Sequence, residues 1–402
     1  MEKEDNILIS KLTESVKFSK NYTISVNYIC NPDGTIRWVY AESLKNPTFL
    51  KFYSSATLKS RIFSFFVLIL FKIKVFNILF SNKMNLLIQK GSFLDQINKN
   101  YKEHGYSIFF GTVGVNRKLI LHLNNDNHES TFIKLAVSQQ SLSLIKNEAF
   151  FLTKISKSPI DNIFFPELIS HPRSDAIEIS DIKPSKSFQP ATINKFHINA
   201  VININSINQE ICKWNEVTFF TNLDRVLGEI SNKEIRNNAI EAKFIDSFIK
   251  NTRLALTFIE KDKEVLCGLS HGDFTPWNMY FNKKNQIFIY DWELAKINIP
   301  LFFDLFHFVF QSNVLLKNSK FHDFKNELIK VKNDQTLKTF INRNTIKIDE
   351  NYIFYIVYIS SYYLNIYLEQ ENIHKQAIWQ LDCWNEALLD VIKYDGMLVN
   401  EK

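Results

Sequence analysis

The sequence predicts an α+β protein, with a sheet-rich first part and a mainly helical second part. Three observations lead to this reading. Short β-rich segments separated by turn residues run from Tyr106 to Val137. Beyond about residue 205 the chain reads mainly as helix, and a single stretch of short elements at 267–293 interrupts it. The 402 residues, 46% hydrophobic and 22% charged, suit two or three lobes around sizeable cores.

Composition excludes several classes. The net charge of +6 is mild for this length, and basic residues neither run together nor interleave with aromatics, so nucleic acid is excluded as a partner. Cys30, Cys212, Cys267 and Cys383 form no C-x-x-C pair, and the nine histidines show no ligand spacing. A reduced cytoplasmic protein without a structural metal follows. The polar start Met1-Glu2-Lys3-Glu4-Asp5 does not read as a secretory leader.

Taken in order, Tyr22 to Cys30 alternates β-branched and aromatic residues, Asn31-Pro32-Asp33-Gly34 signals a turn, and Thr35 to Tyr40 returns as a strand. Residues 43–94 contain no Asp or Glu but carry eight basic side chains, from Lys45 to Lys90. Within them Ile62, Phe66, Ile69, Ile73, Phe76 and Phe80 recur at spacings of three and four, which predicts one helix with an apolar stripe over 62–80. Its uncharged and largely apolar part, Ile62 to Phe71, is far short of the about 20 residues a spanning helix needs. Two readings stand: a core helix, or a membrane-surface helix whose lysines meet anionic lipid.

Strands are then expected at 107–110, 118–123 and 132–137, as an antiparallel meander. A helix follows at 141–155, with a further strand at 176–181. Lys183-Pro184-Ser185 is the expected hinge. The expected division is 1–100, 101–183 and 184–402.

The chemistry concentrates in His271-Gly272-Asp273-Phe274-Thr275-Pro276-Trp277-Asn278 and, after the apolar run 287–290, Asp291-Trp292-Glu293. Phosphoryl transfer to a hydroxyl needs a carboxylate at the acceptor oxygen and Mg²⁺ on the phosphates. Asp273 with Asn278 five residues on has the spacing of a kinase catalytic loop, and the amide oxygen of Asn278 is a hard ligand. A strand over 287–290 would bring Asp291 to the same metal.

This stretch resembles the aminoglycoside phosphotransferase and choline kinase family, which shares the protein-kinase fold. The resemblance covers about residues 105–310. It implies a protein-kinase-like bilobal architecture, with an antiparallel-sheet nucleotide-binding N-lobe at 101–183 and a mainly helical C-lobe at 184–402 carrying the acceptor site. Residues 1–100 would be an N-terminal extension. It further implies Asp273 as catalytic base, Asn278 and Asp291 as Mg²⁺ ligands, ATP or alternatively GTP as donor, and His271 and Asp304 as structural residues. Phe132-Ile133-Lys134-Leu135-Ala136 resembles the strand whose Lys contacts the α/β-phosphates, and Glu148 fits its ion-pair partner. Gly111-Thr112-Val113-Gly114 stands where a phosphate-covering loop belongs, with Asn116, Arg117 and Lys118 as nearby donors. The implied activity is Mg²⁺-dependent transfer of a γ-phosphate to a hydroxyl of a small molecule such as an amino alcohol or sugar. The alternative is a nucleotide-binding pseudokinase or scaffold, associated with a membrane or biosynthetic complex through residues 43–94.

Overall fold

Two β-hairpin signals near the start of the chain seed a large sheet. Asp33 Oδ1 accepts hydrogen bonds from the Thr35 amide (2.9 Å) and hydroxyl (2.6 Å), and Gly34 supplies the positive φ of 91° that closes the turn. The computed structural model describes residues 3–14, 20–52, 58–101, 105–111, 114, 116–124, 130–235, 240–370, 373 and 375–399. Contacts divide the chain into two units: Met1–Lys157 with Phe165–Phe188, and Ser158–Phe164 with Gln189–Lys402.

The first unit contains, in chain order, α1 (Lys3–Thr13), β1 (Asn21–Cys30), β2 (Ile36–Ala41), α2 (Leu58–Lys72), α3 (Phe76–Phe80), β3 (Asn82–Gln89), α4 (Phe93–Tyr101), β4 (Tyr106–Phe109), β5 (Lys118–Asn124), β6 (Ser130–Ala136) and α5 (Gln139–Ile155). After β7 (Ile163–Phe164), which belongs to the second unit, come β8 (Leu168–Arg173), β9 (Ala176–Ser180) and β10 (Ser187–Phe188). Eight strands form one antiparallel sheet in the order β3-β1-β2-β4-β5-β6-β9-β8. Residues 1–100, expected as an extension, thus supply three of its strands.

Strand alternation sends β2 side chains to two different cores. Val39 and Ala41 join Leu8 and Leu12 of α1 and Phe93, Leu94 and Ile97 of α4 on one face. Trp38 and Tyr40 join Phe49, Val67, Phe71 and Phe76 on the other. Phe49 ties this second core together, with ring centroids 5.2 Å from Trp38 and 5.9 Å from Phe71.

The single helix expected over 62–80 is instead two, and of the predicted stripe only Phe76, on α3, is buried. Val75 N–H donates to Leu70 O (3.0 Å) and Lys74 N–H to Phe71 O (3.0 Å), a Schellman ending with Lys74 at φ 61° where glycine is usual. Nothing in the residue types announces that stop. Val67 and Phe71 face the sheet, while Ile62, Phe66, Ile69 and Ile73 of the predicted stripe are exposed. Among the described residues no helix is long and apolar enough to cross a membrane.

The second unit continues with α6 (Lys195–Asn205), β11 (Glu210–Lys213), α7 (Thr218–Asn232), α8 (Ala242–Ala255), β12 (Glu264–Ser270), β13 (Met279–Asn282), β14 (Ile287–Ile289), β15 (Lys296–Pro300), α9 (Phe303–Gln311), α10 (Phe321–Lys332), α11 (Gln335–Arg343), α12 (Ile348–Leu368) and α13 (Lys375–Lys393). β11, β12 and β15 form an antiparallel sheet, and β13 and β14 a hairpin extended by the parallel strand β7. Helices α9 and α12 are buried along most of their length.

Candidate active site

Strand β12 runs into the loop of residues 271–278, and close backbone approach fixes where that loop begins. A Cβ on Gly268 would lie 2.0 Å from Asn205 O, and one on Gly272, at φ 82°, would lie 2.2 Å from Leu294 O. Only glycine fits at either position.

Asp304, in the first turn of α9, anchors the loop. Its Oδ1 accepts from Ser270 Oγ (2.9 Å) and Gly272 N–H (3.0 Å), and its Oδ2 from His271 N–H (2.8 Å). The carboxylate is fully buried, and the helix N-terminus adds favourable dipole. The turn ahead of it is strained: Phe302 holds φ 70°, rare for a bulky residue. Two asparagines hold the strained turn, Asn205 Oδ1 accepting from Phe302 N–H (2.9 Å) and Asn351 Nδ2 donating to Leu301 O (3.1 Å).

His271 braces the loop from inside. Its Nδ1 accepts from Asp273 N–H at 3.2 Å, so Nε2 carries the proton and donates to Tyr290 O at 2.8 Å. The ring packs edge-on to buried Trp292 (4.7 Å).

Both oxygens of Asp273 are held. Asn278 Nδ2 donates to Oδ2 (2.8 Å) and to the Asp273 carbonyl (3.1 Å), and His307 Nε2 donates to Oδ1 (3.1 Å). The Asp273 side chain keeps 23% exposure while His307 has none, so the carboxylate is fixed from behind and open in front. Behind His307, its Nδ1 accepts from the Tyr355 hydroxyl at 3.5 Å, and burial keeps that phenol protonated. Sequence reasoning missed His307, Tyr355 and Asn205. The Asp304-x-x-His307 spacing, which puts both side chains on one helix face, was the available signal for His307.

The hairpin brings the two expected metal ligands to one end. Met279 pairs with Ile289, and Tyr290 N–H donates to Asn278 O (2.8 Å), so Asn278 and Asp291 lie where β13 begins and β14 ends. Asp291 adopts a left-handed conformation (φ 65°), and a carboxylate oxygen of Glu293 lies within 4.8 Å of one of Asp291. Since the Asn278 amide nitrogen is spent on Asp273, its oxygen remains as a ligand atom. The amide oxygen of Asn278 and the carboxylates of Asp291 and Glu293 are hard donors of the kind Mg²⁺ takes. Glu293 is an addition to the expected set.

In the first unit, Lys134 on β6 and Glu148 on α5 form a buried ion pair, with Nζ at 2.7 and 2.6 Å from the two carboxylate oxygens. Helix α5 starts at a reciprocal Ser138–Ser141 cap, which sets the phase that turns Glu148 inward. Gly111 (φ 72°) accommodates Lys118 O, 2.5 Å from where a Cβ would be, and Gly114 has φ 152°. Thr112 and Val113 of the expected phosphate loop lie outside the described residues. Arg117 is not the loop donor expected. Its side chain is buried, donating Nε–H to Phe110 O (2.9 Å) and pairing with Asp5 of α1 (3.4 Å).

No protein-family model matches the sequence, and no curated protein is similar to it. Among solved structures the chain is similar to an amicoumacin kinase in complex with AMP-PNP and Ca²⁺ (11% identity, 70% of this chain and 88% of that one, TM-score 0.43). It is similar also to a choline kinase from Streptococcus pneumoniae (12%, 67% and 89%, 0.42) and to an apo aminoglycoside phosphotransferase (10%, 72% and 94%, 0.43). At such identities and scores the likeness concerns the path of the chain, and activity does not follow from it. By their names these three are small-molecule kinases or phosphotransferases.

Proposed function

We propose that this chain is a small-molecule kinase, transferring the γ-phosphate of ATP, or alternatively GTP, to a hydroxyl group. The observation that supports it most is the Asp273 carboxylate, immobilised on both oxygens by Asn278 and His307 yet open to solvent, with the neighbouring Asp291 and Glu293 carboxylates as hard donors.

In this reading the acceptor hydroxyl attacks the γ-phosphorus, the bond from that phosphorus to the β-bridging oxygen breaks, and the hydroxyl proton passes to Asp273. His307 and Asn278 fix the rotamer of Asp273, so orientation is set before the acceptor arrives. Asn278, Asp291 and Glu293 would hold Mg²⁺, which supplies neutralisation of phosphate charge. Lys134, steered by Glu148, is the point charge for the nucleotide phosphates, and the glycines of 111–114 allow backbone amides to approach them.

The test is a transfer screen with Mg·ATP and Mg·GTP against alcohols, amino alcohols and sugars, run with wild type and Asp273→Ala. The reading predicts one acceptor class phosphorylated by wild type, with a loss of roughly 10²–10⁴-fold in the variant. Nucleotide binding without transfer to any acceptor, and a slow hydrolysis unchanged in Asp273→Ala, would instead favour the pseudokinase or scaffold.

A further inference from the structure

Independent of that chemistry, the α2–α3 region carries an apolar surface that is left exposed among the described residues. At about 100° per residue, Ile62, Phe66 and Ile69 of α2 and Ile73 just past its end fall within about 60° of one another. All four are 40–57% exposed. The opposite side of the helix, Val67 and Phe71, is the part packed on Trp38, Tyr40 and Phe49. The apolar surface continues onto α3, where Ile78, Leu79 and Phe80 are 55–80% exposed. A patch this continuous marks an interaction site.

Charge identifies the occupant. Lys59 and Lys72, both exposed, flank the α2 face at about 60° and 80° on its two sides. Exposed Lys74 sits in the left-handed turn between the two helices. From residue 43 to 94 the chain has no acidic side chain. A protein partner's surface would ordinarily be met by both signs of charge. A purely cationic rim around aromatic and branched apolar side chains complements an anionic lipid surface. Geometry limits the mode: 15 residues of α2 span about 22 Å, less than the about 30 Å of a bilayer core. The helix would therefore lie in the plane, with its inner face still on the sheet.

We infer that α2 and α3 dock this protein on an anionic membrane surface, with the outer apolar side chains entering the headgroup boundary and Lys59, Lys72 and Lys74 meeting lipid phosphates and carboxylates.

The test uses the full chain with vesicles of phosphatidylcholine alone and of phosphatidylcholine with phosphatidylserine, separated by sedimentation. The expected result is recovery with the anionic vesicles, decreasing as salt is raised. Lys72→Gln/Lys74→Gln should weaken that partition by roughly 25-fold, about fivefold per cation. Phe66→Ser/Ile69→Ser should abolish it, and in both variants the unfolding midpoint should match wild type, because the replaced side chains lie outside the core. Equal recovery in the supernatant with both vesicles at low salt overturns the inference. So does a concentration-dependent dimer that Phe66→Ser/Ile69→Ser dissociates while vesicles are ignored, because the face would then belong to a second copy.

Discussion

Helices α2 and α9 are both apolar nearly all round, yet the protein uses them in opposite ways. Every residue of α9, Phe303 to Gln311, is buried, including Asp304 and His307. Helix α2 buries one side and leaves the other open. In α9 Asp304 and His307 point inward and are matched: Asp304 takes three donors and His307 joins Asp273 to Tyr355. In α2 the charged groups stand at the border of the outer face. The difference teaches that apolar content decides neither burial nor role. What decides is where the few polar side chains sit on the helix and what they can bind.

The comparison breaks first at Asp304. Asp304→Ala would leave Ser270 Oγ and the His271 amide without the acceptor they have in the protein, and the Gly272 amide with only its longer bond to Ser270 Oγ (3.2 Å). We expect a loss of roughly 5 kcal/mol, or failure to fold, read as the denaturant midpoint. A loss below about 1 kcal/mol would mean that the loop is held by something other than α9.

On α2 the same substitution should have opposite consequences on its two sides. Phe71→Ala empties the core shared with Phe49 and Phe76 and should cost about 3–5 kcal/mol. Phe66→Ala, on the outer side, should stay within about 0.5 kcal/mol of wild type. Equal costs would show that the outer face is covered in solution.

How much of this could be read beforehand differs by region. The strand meander from 106 to 136 and the spacing of Lys134 and Glu148 were legible, because period-two alternation and a helix phase are local properties. The division of 62–80 into two helices was not, since a Lys occupies the left-handed stop and gives no glycine signal. The burial of Arg117 was not legible either: its partner Asp5 is 112 residues away, and only the assembled sheet brings α1 to the residue that precedes β5. Around the candidate site the sequence showed Asp273, Asn278, Asp291 and Asp304. His307 had a local signal in its spacing from Asp304, whereas the positioning contacts of Asn205 and Tyr355 depend on how α6, α9 and α12 pack, which no spacing in one segment encodes.

A smaller effect, in pH, sharpens the contrast between buried and open polar groups. His197 on α6 is buried between Phe281 (4.8 Å) and Phe308 (4.6 Å), and burial pushes its pKa down from 6.5 to about 3. The unfolded chain binds that proton from about pH 6.5 downward while the folded chain does not. Stability should therefore be full above pH 6.5 and fall toward pH 3 by up to about 1.4 kcal/mol per pH unit from this residue. The slope of denaturant stability against pH should drop by one proton in His197→Phe. An unchanged slope would place the acid sensitivity elsewhere, with buried His122 of the first unit as the next group to examine.

The central claim is that Asp273 serves the acceptor while Asn278 and Asp291 serve the metal, and calorimetric titration of Mg·ATP into Asp273→Ala and Asp291→Ala, alongside product formation, tests it most directly. The account predicts that Asp273→Ala binds Mg·ATP about as tightly as wild type while transfer falls by roughly 10²–10⁴-fold, and that Asp291→Ala loses Mg²⁺-dependent affinity together with turnover. Two variants that bind Mg·ATP equally well, or an Asp273→Ala that transfers phosphate at the wild-type rate, would contradict it.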